Sequence, residues 1–156
     1  MKRTPRSIVK TASVLVAVMC VVFANASSMF AQNGDAIVGK WYTDNDKSLV
    51  EVWKAGNVYH GKILWLKDSL RAGKPKLDIN NSTESVRNNP VVGLQILHNL
   101  KFNTNEWSEG SIYDPESGKE YSCKATMNGA NLELRGYILG MPFLGRTTVW
   151  TRNRKS

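Results

Sequence analysis

The stretch KEYSCKATMNGANLELRGYI, residues 119–138, decides the fold class of this sequence. On both sides of Asn128-Gly129, apolar side chains alternate with polar ones. A period of two is typical of a β-strand that buries one face, and an Asn-Gly pair between two such runs favours a tight hairpin turn. We therefore predict two antiparallel strands, 119–126 and 132–138.

The two faces of this predicted hairpin differ in chemistry. Cys123 lies on the apolar face of the first strand, whereas Arg135 and Tyr137 lie opposite Leu132 and Leu134 in the second. A polar face that points outward is a solvated surface, and one that points inward can meet a ligand. The alternation leaves both interpretations open for Arg135 and Tyr137.

The same alternation recurs along the chain. It predicts six more strands, at 36–43, 49–54, 58–67, 91–97, 107–114 and 146–152. Short turn sequences such as Asp114–Gly118 join several neighbours and make successive strands antiparallel. The sequence therefore predicts an all-β fold, an antiparallel up-and-down barrel of about eight strands, with a sandwich as the alternative. A barrel of this size is filled by its own side chains or holds one small ligand.

Two connections differ from these short turns. The first, residues 68–90, is long and polar, which is typical of a lid, a binding loop or a mobile surface segment. Asn81 and Glu84 in it are spaced as in a helix cap and predict a helical turn over 82–87. The second connection, residues 139–145, reads LGMPFLG. We expect it to tuck over the end of the barrel, with contact to a partner or to lipid as the alternative.

The first thirty residues have the pattern of a secretory signal. Four basic residues and no acidic residue precede the apolar run at 11–23, and Ala24-Asn25-Ala26 places small residues where a leader peptidase needs them. The apolar run is shorter than the about 20 residues of a membrane-spanning helix. We expect a cleaved signal peptide at 1–26, with a cut after Ala31 as the alternative, and a single β-barrel domain at 27–156. This makes the protein periplasmic or secreted, with no transmembrane anchor after cleavage.

Composition and charge exclude several classes of function. Hydrophobic residues make up 42% and charged residues 22%, so the chain is globular and not disordered. Two cysteines and two histidines are too few for a four-cysteine or a three-histidine zinc site. We predict no metal site and no cofactor. Removal of residues 1–26 lowers the formal charge from +8 to +4, because four of the 21 basic residues and none of the 13 acidic ones lie there. The excess forms no basic stripe, so we expect no nucleic-acid partner.

Cysteine usage gives a further expectation. Cleavage would leave Cys123 as the single cysteine, so no disulfide can form within the remaining chain. Its place on the apolar face of a predicted strand indicates a buried, inert thiol.

A series of motifs resembles a known bacterial family. These are Gly39-Lys40-Trp41, Gly61-Lys62-Ile63, Pro90-Val91-Val92-Gly93-Leu94, Gly110-x-Ile112-Tyr113-Asp114-Pro115, Gly118-Lys119-x-Tyr121-x-Cys123, Leu134-Arg135-Gly136-Tyr137, Leu144-Gly145-Arg146-Thr147 and Trp150-x-Arg152. Together they resemble the family called domain of unknown function 2147. The resemblance implies a small exported protein of a Gram-negative bacterium with a lipocalin-like barrel, and it implies no activity and no catalytic residues.

Two of these residues are also similar to a pair in lipocalins. There a tryptophan of the first strand packs at the closed end of the barrel, beneath an arginine from the last strand. The resemblance implies that Trp41 and Arg152 form a structural clamp through cation–π attraction, with Arg146 as the alternative arginine. It also implies that the ligand enters at the other end.

The function predicted from these features is a binding module for a lipid or other small amphiphile in the cell envelope. We expect the ligand to contact aromatic side chains and an arginine that pairs with an anionic head group. The predicted ligand-binding residues are Trp107, Tyr113, Arg135, Tyr137 and Arg146. We expect a monomer. One alternative is an envelope protein-protein interaction module without a small ligand. The other is an enzyme acting on an anionic substrate. Its candidate constellation is Tyr113, Asp114, Arg135, Tyr137 and Arg146, with Asp78 and His60 as candidate acid and base groups.

Overall fold

The protein is described by a computed structural model over residues 33–154. The signal peptide predicted at 1–26, and both cleavage positions, lie outside the described residues. Within them, no helix is long and apolar enough to cross a membrane.

Ten strands form the fold. They are β1 (Gly39–Tyr42), β2 (Ser48–Ala55), β3 (Val58–Leu66), β4 (Leu70–Arg71), β5 (Lys74–Pro75), β6 (Gln95–Asn103), β7 (Glu106–Asp114), β8 (Lys119–Asn128), β9 (Asn131–Ile138) and β10 (Met141–Trp150). Eight of them build one antiparallel sheet in the order β1-β2-β3-β6-β7-β8-β9-β10, and β4 pairs only with β5. The predicted all-β antiparallel fold of about eight strands is confirmed.

The sheet curls until its two edges meet. The backbone N–H of Tyr42, at the end of β1, donates to the carbonyl of Thr151 at 2.8 Å, and the N–H of Thr151 donates back at 2.9 Å. This bridge joins the first and last strands of the sheet. The curled sheet therefore has an interior face, which alternates with the exterior face along each strand.

Three strands have boundaries that differ by more than two residues from the prediction. The strand predicted at 36–43 begins only at Gly39, because Gly34–Ile37 form a 3-10 helix instead. The apolar run at 91–97 predicted a strand there, but β6 begins only at Gln95 and continues to Asn103. Asn99 interrupts the alternation, because its φ of 56° is a left-handed conformation inside the strand. Similarly, β10 begins at Met141, so only Leu139 and Gly140 remain between β9 and β10. Gly140 has a φ of 79°, which permits this short turn.

One end of the curled sheet is filled by large side chains. A 3-10 helix, Gly34–Ile37, lies at this end. The indole N–H of Trp107 donates to the carbonyl of Gly34 at 2.9 Å, and that of Trp41 donates to the carbonyl of Ile37 at 2.8 Å. A Cβ on Gly34 would lie 2.7 Å from the Tyr59 hydroxyl, so only glycine allows the helix this close. This end is sealed.

The core continues between the strands above the sealed end. Its fully buried members include Val50, Val52, Leu97, Leu100, Leu132, Leu134 and Cys123. The prediction that Cys123 is buried is confirmed, and burial raises the pKa of its thiol to about 12. The thiol is therefore protonated and unreactive near neutral pH.

Candidate functional site

A cavity of about 940 Å³ opens at the end opposite the sealed one. It lies among the connections after β1, β3, β7 and β9, which the up-and-down topology brings to one end. Its floor is apolar. Ile63, Ile96, Ile112, Leu134 and Trp150 line it, and they come from five of the eight strands. An apolar part of a ligand would have contacts on several sides in such a space.

The mouth of the cavity is charged. The charged residues at its wall are Asp44, Lys47, Asp68, Lys76, Asp114, Glu116 and Arg146. In the part of the chain that the structure describes, Arg146 has no acidic partner within 4.0 Å. Asp114, by contrast, is used by its own turn, since its carboxylate accepts from the Glu116 N–H at 3.0 Å and the Ser117 hydroxyl at 2.7 Å. Arg146 is therefore free to meet an anionic group. Lys47 and Lys76 are also outside the ion pairs of the described residues, but Arg146 alone among these three presents a planar guanidinium.

A buried carboxylate supports one wall of the cavity. Asp78 is 0% exposed, and the hydroxyl of Tyr113 donates to its Oδ1 at 2.7 Å. Asn81 Nδ2 donates to Oδ2 at 2.7 Å. Burial, followed by the hydrogen bond to Asp78, raises the pKa of Tyr113 to about 12. The phenol is therefore a neutral donor, and it fixes the loop 68–90 to β7.

The neighbouring residues hold this loop against the turn between β7 and β8. Asn80 Nδ2 donates to the carbonyl of Glu116 at 2.9 Å. Gly118, with a φ of +70°, packs so tightly on Asn80 that a Cβ would overlap its carbonyl oxygen. Arg87 Nε donates to the carbonyl of Asn81 at 2.7 Å. The loop is thus a folded wall of the cavity.

The helical turn predicted over 82–87 is present as a shorter 3-10 helix, Glu84–Val86. The cap predicted from Asn81 has a different form. Its Oδ1 accepts from the Thr83 N–H at 2.9 Å, one position before the helix. In residues 33–154 no three His, Cys, Asp or Glu side chains converge as they would around a metal ion.

The structure brings together two of the five predicted ligand-binding residues. Tyr113 and Arg146 both line the cavity. Arg135, Tyr137 and Trp107 do not. The ligand-binding role of all five stays a prediction, but the geometry gives the last three other surroundings.

Arg135 and Tyr137 lie on the outer face of β9, because Leu132 and Leu134 of the same strand point into the core. Arg135 Nη1 donates to the Thr147 hydroxyl at 3.2 Å, and Nη2 donates to the carbonyl of Pro142 at 3.0 Å. The guanidinium therefore fastens the β9–β10 hairpin from outside the barrel.

Trp107 is inside the barrel but at its sealed end. Its ring is fully buried, 4.9 Å from the Phe102 ring centroid and 6.4 Å from that of Tyr59 in an edge-on contact. Its indole N–H is occupied by Gly34. These contacts are those of a core tryptophan.

Trp41 and Arg152 lie in contact at the same end. The guanidinium carbon of Arg152 is 3.6 Å from the centroid of the buried Trp41 ring. Its Nη2 donates to the carbonyl of Ala36 at 2.8 Å, and Nη1 donates to that of Lys40 at 3.4 Å. Arg152 thus connects the segment after β10 to the 3-10 helix and to β1. Arg146, the alternative clamp residue, lies at the cavity instead.

The expectation that the apolar connection tucks over the barrel end is wrong. Leu139 is 83% exposed and Phe143 is 75% exposed. Between Met141 and Gly145 the pairing of β10 with β9 shifts register, so the residues between them bulge from the ladder. Phe143 and Leu144 still form part of the cavity wall.

Sequence reasoning missed most of the cavity floor. Thr148 and Trp150 share the strand face of Arg146 and line the same cavity, so the period of two in β10 would have identified them. His60, a candidate acid or base, lies outside the lining. Its Nδ1, like that of His98, is within 3.1 Å of Gln95 Nε2.

A curled sheet of eight antiparallel strands, sealed at one end and open to an apolar cavity at the other, is a lipocalin-like fold. A solved structure agrees with this class. Protein HP1028 from the human pathogen Helicobacter pylori, described as belonging to the lipocalin family, is similar with a TM-score of 0.65. It is 23% identical, over 74% of this chain and 82% of that chain. At that identity the likeness establishes the fold alone.

The family is more specific. The profile described as an uncharacterized protein conserved in bacteria, DUF2147, matches residues 39–152. The chain belongs to this family, as its motifs predicted. Comparison with curated proteins gave no match.

Proposed function

We propose that the protein is a binding module for a lipid or another small amphiphile in the cell envelope. The observation that carries this proposal is the cavity, which has an apolar floor and a charged mouth within one space of about 940 Å³. This volume is near the upper end of the about 300–1,000 Å³ typical of small-molecule sites. An amphiphile has the same division into an apolar and a polar part.

Arg146 orients the ligand in this proposal. It is at the cavity wall, and none of the ion pairs among the described residues includes it. A guanidinium presents a planar set of donors that fits a carboxylate or phosphate. The anionic head group would therefore lie at Arg146, with the apolar chain extending toward Ile96 and Leu134.

The wall formed by loop 68–90 keeps the site preformed. Without the hydrogen bond from Tyr113 to Asp78, the loop could move and the apolar floor could close on itself. A preformed cavity lowers the cost of binding, because the protein does not have to be ordered by its ligand. The positioning role of Tyr113 is thus as important to the proposal as its place at the wall.

The experiment compares two ligands that share a chain and differ in head-group charge, palmitate and hexadecanol. Binding is measured by calorimetry and by native mass spectrometry. Arg146→Gln should weaken palmitate binding about tenfold or more, because a charge-assisted hydrogen bond contributes about 1.5–3 kcal/mol, while hexadecanol binding should change little. Arg146→Lys should retain part of the affinity. Arg71→Gln, an exposed arginine at the same end that does not line the cavity, is the matched control.

A second variant tests the cavity itself. Thr148→Trp places a large ring in the lined space and should abolish binding of both ligands while the melting temperature stays near that of the wild type. Failure of the unaltered protein to bind either ligand, together with a mass free of any lipid after purification, would contradict the proposal. So would a Thr148→Trp protein that binds as well as the wild type.

A further inference from the structure

The β9–β10 hairpin ends in an uncharged, exposed tip at the mouth of the cavity. From Gly136 to Gly145 the sequence contains no charged residue. Within this tip, residues 138–144, five large apolar side chains are at least 45% exposed. These are Ile138, Leu139, Met141, Phe143 and Leu144. Single exposed apolar residues are ordinary, but five in one hairpin form a contiguous patch that favours a partner with an apolar interior.

The hydrogen bonding of the tip's backbone suits transfer from water into an apolar medium. Its register shift leaves carbonyls without partners in the strand ladder, and unsatisfied carbonyls are costly in an apolar medium. Arg135 Nη2 donates to the carbonyls of Pro142 and Phe143, at 3.0 and 3.4 Å. Pro142 has no N–H that would need a partner.

Positive charge lies beside the tip. The basic loop, residues 67–76, contains Lys67, Arg71, Lys74 and Lys76 with one acidic residue, Asp68. Within residues 33–154 none of these four cations is in an ion pair. The basic loop and the tip surround the same opening, because Lys76 and Phe143 both line the cavity. The opening also carries the carboxylates of Asp44, Asp114 and Glu116, so attraction to an anionic membrane comes from the basic loop, where four cations outnumber one carboxylate. The apolar tip beside this loop suits the apolar interior of such a membrane.

We propose that the hairpin tip inserts into the surface of an anionic lipid bilayer while the basic loop binds its head groups. This orientation turns the cavity mouth toward the membrane. Transfer of an amphiphile between bilayer and cavity would follow, and that consequence rests on the proposed function. The docking itself depends only on the tip and the basic loop.

Flotation with lipid vesicles tests the docking. The purified protein, with its N-terminus fixed by intact mass and identical in all variants, is mixed with vesicles of phosphatidylcholine and phosphatidylglycerol or of phosphatidylcholine alone. We expect flotation with the anionic vesicles that weakens at high salt, since surface charges are screened. Leu139→Ser with Met141→Ser should lower the partition coefficient about tenfold or more. The matched control is Val38→Ser, an apolar residue exposed to 38% beside the sealed end.

The charge contribution has its own pair of variants. Lys74→Glu should lower partition into anionic vesicles several-fold, whereas Lys40→Glu, an exposed lysine on β1, should not. The docking proposal is overturned if the unaltered protein does not float, or if the Leu139/Met141 variant floats as well as the wild type. Equal flotation with both kinds of vesicle would overturn the role of the basic loop.

Palmitate binding in solution separates this proposal from the proposed function. Leu139 and Met141 do not line the cavity, so their double variant should bind palmitate normally while it fails to float. A wild-type protein that floats but binds no palmitate would contradict the proposed function and leave the docking standing.

Discussion

The hydrogen bond between Tyr113 and Asp78 gives the sharpest prediction for the cavity wall. Asp78 Oδ1 is fully buried and accepts from the Tyr113 hydroxyl at 2.7 Å. Tyr113→Phe removes this donor and leaves a buried carboxylate oxygen short of a partner. A hydrogen bond to a charged group contributes about 1.5–3 kcal/mol to stability. For a domain of this size, about 4 °C in melting temperature corresponds to each kcal/mol, so Tyr113→Phe should melt roughly 6–12 °C lower.

Chemical unfolding followed by tryptophan fluorescence measures this loss. A double-mutant cycle with Asp78→Ala, which removes both carboxylate oxygens, assigns it to the hydrogen bond. If the two groups interact, the loss of unfolding free energy in the double variant should be smaller than the sum of the losses in the single variants, by about 1.5 kcal/mol or more. Tyr137→Phe, on the outer face of β9, is the control and should stay within about 0.5 kcal/mol of the wild type. Additive losses, or a Tyr113→Phe protein as stable as the control, would refute the assignment.

The pH dependence of stability checks the same pair independently. The native pKa of Tyr113 is raised from 10.0 to about 12, so between these values the unfolded chain has released a proton that the folded protein retains. Stability that is present below pH 10 is therefore lost as the pH rises toward 12. The loss should be smaller in Tyr113→Phe than in the wild type.

Three further predictions concern other parts of the fold. Arg152→Ala should lower stability by about 1–3 kcal/mol in chemical unfolding, because it removes a cation–π contact with Trp41 and two hydrogen bonds to carbonyls, and an unchanged midpoint would exclude the clamp. Arg135→Ala should accelerate amide hydrogen exchange around Phe143, while the affinity for palmitate stays largely intact. A complete loss of palmitate binding would show that Arg135 contacts the ligand. Cys123 should resist alkylation in the native protein and react at once after unfolding, and rapid labelling under native conditions would contradict its burial.

The period of two predicted the strands because it reports directly on burial. β8 and β9 lie within two residues of the predicted strands, since their apolar residues alternate without interruption. The pattern fails where the backbone departs from a regular pleat, as at the left-handed Asn99 in β6. A bulge changes which side chains share a face, and no hydrophobic pattern records it in advance.

The candidate site was harder to predict than the fold. The alternation of β9 placed Arg135 and Tyr137 opposite Leu134, but it left open which face points outward, and the structure shows that theirs does. The alternation of β10 was sufficient to place Arg146 with Trp150. Asp78 supports the cavity wall because it contacts Tyr113, which lies 35 residues further along the chain. A single sequence does not reveal such a long-range contact.

Whether a barrel is hollow depends on the volume of the interior side chains at each height along its axis. The alternation along a strand shows which residues face inward, but it does not show which of them meet at the same height. At the sealed end the interior positions carry Trp41, Trp107 and Tyr59, and the 3-10 helix packs onto them. At the open end they carry smaller residues, including Thr148 and Gly136. A Cβ on Gly136 would already lie 3.4 Å from Ile112 Cγ2, so a larger residue there would project into the space. The cavity thus exists because large side chains are concentrated at one end, while the loop held by Asp78 keeps the other end from closing.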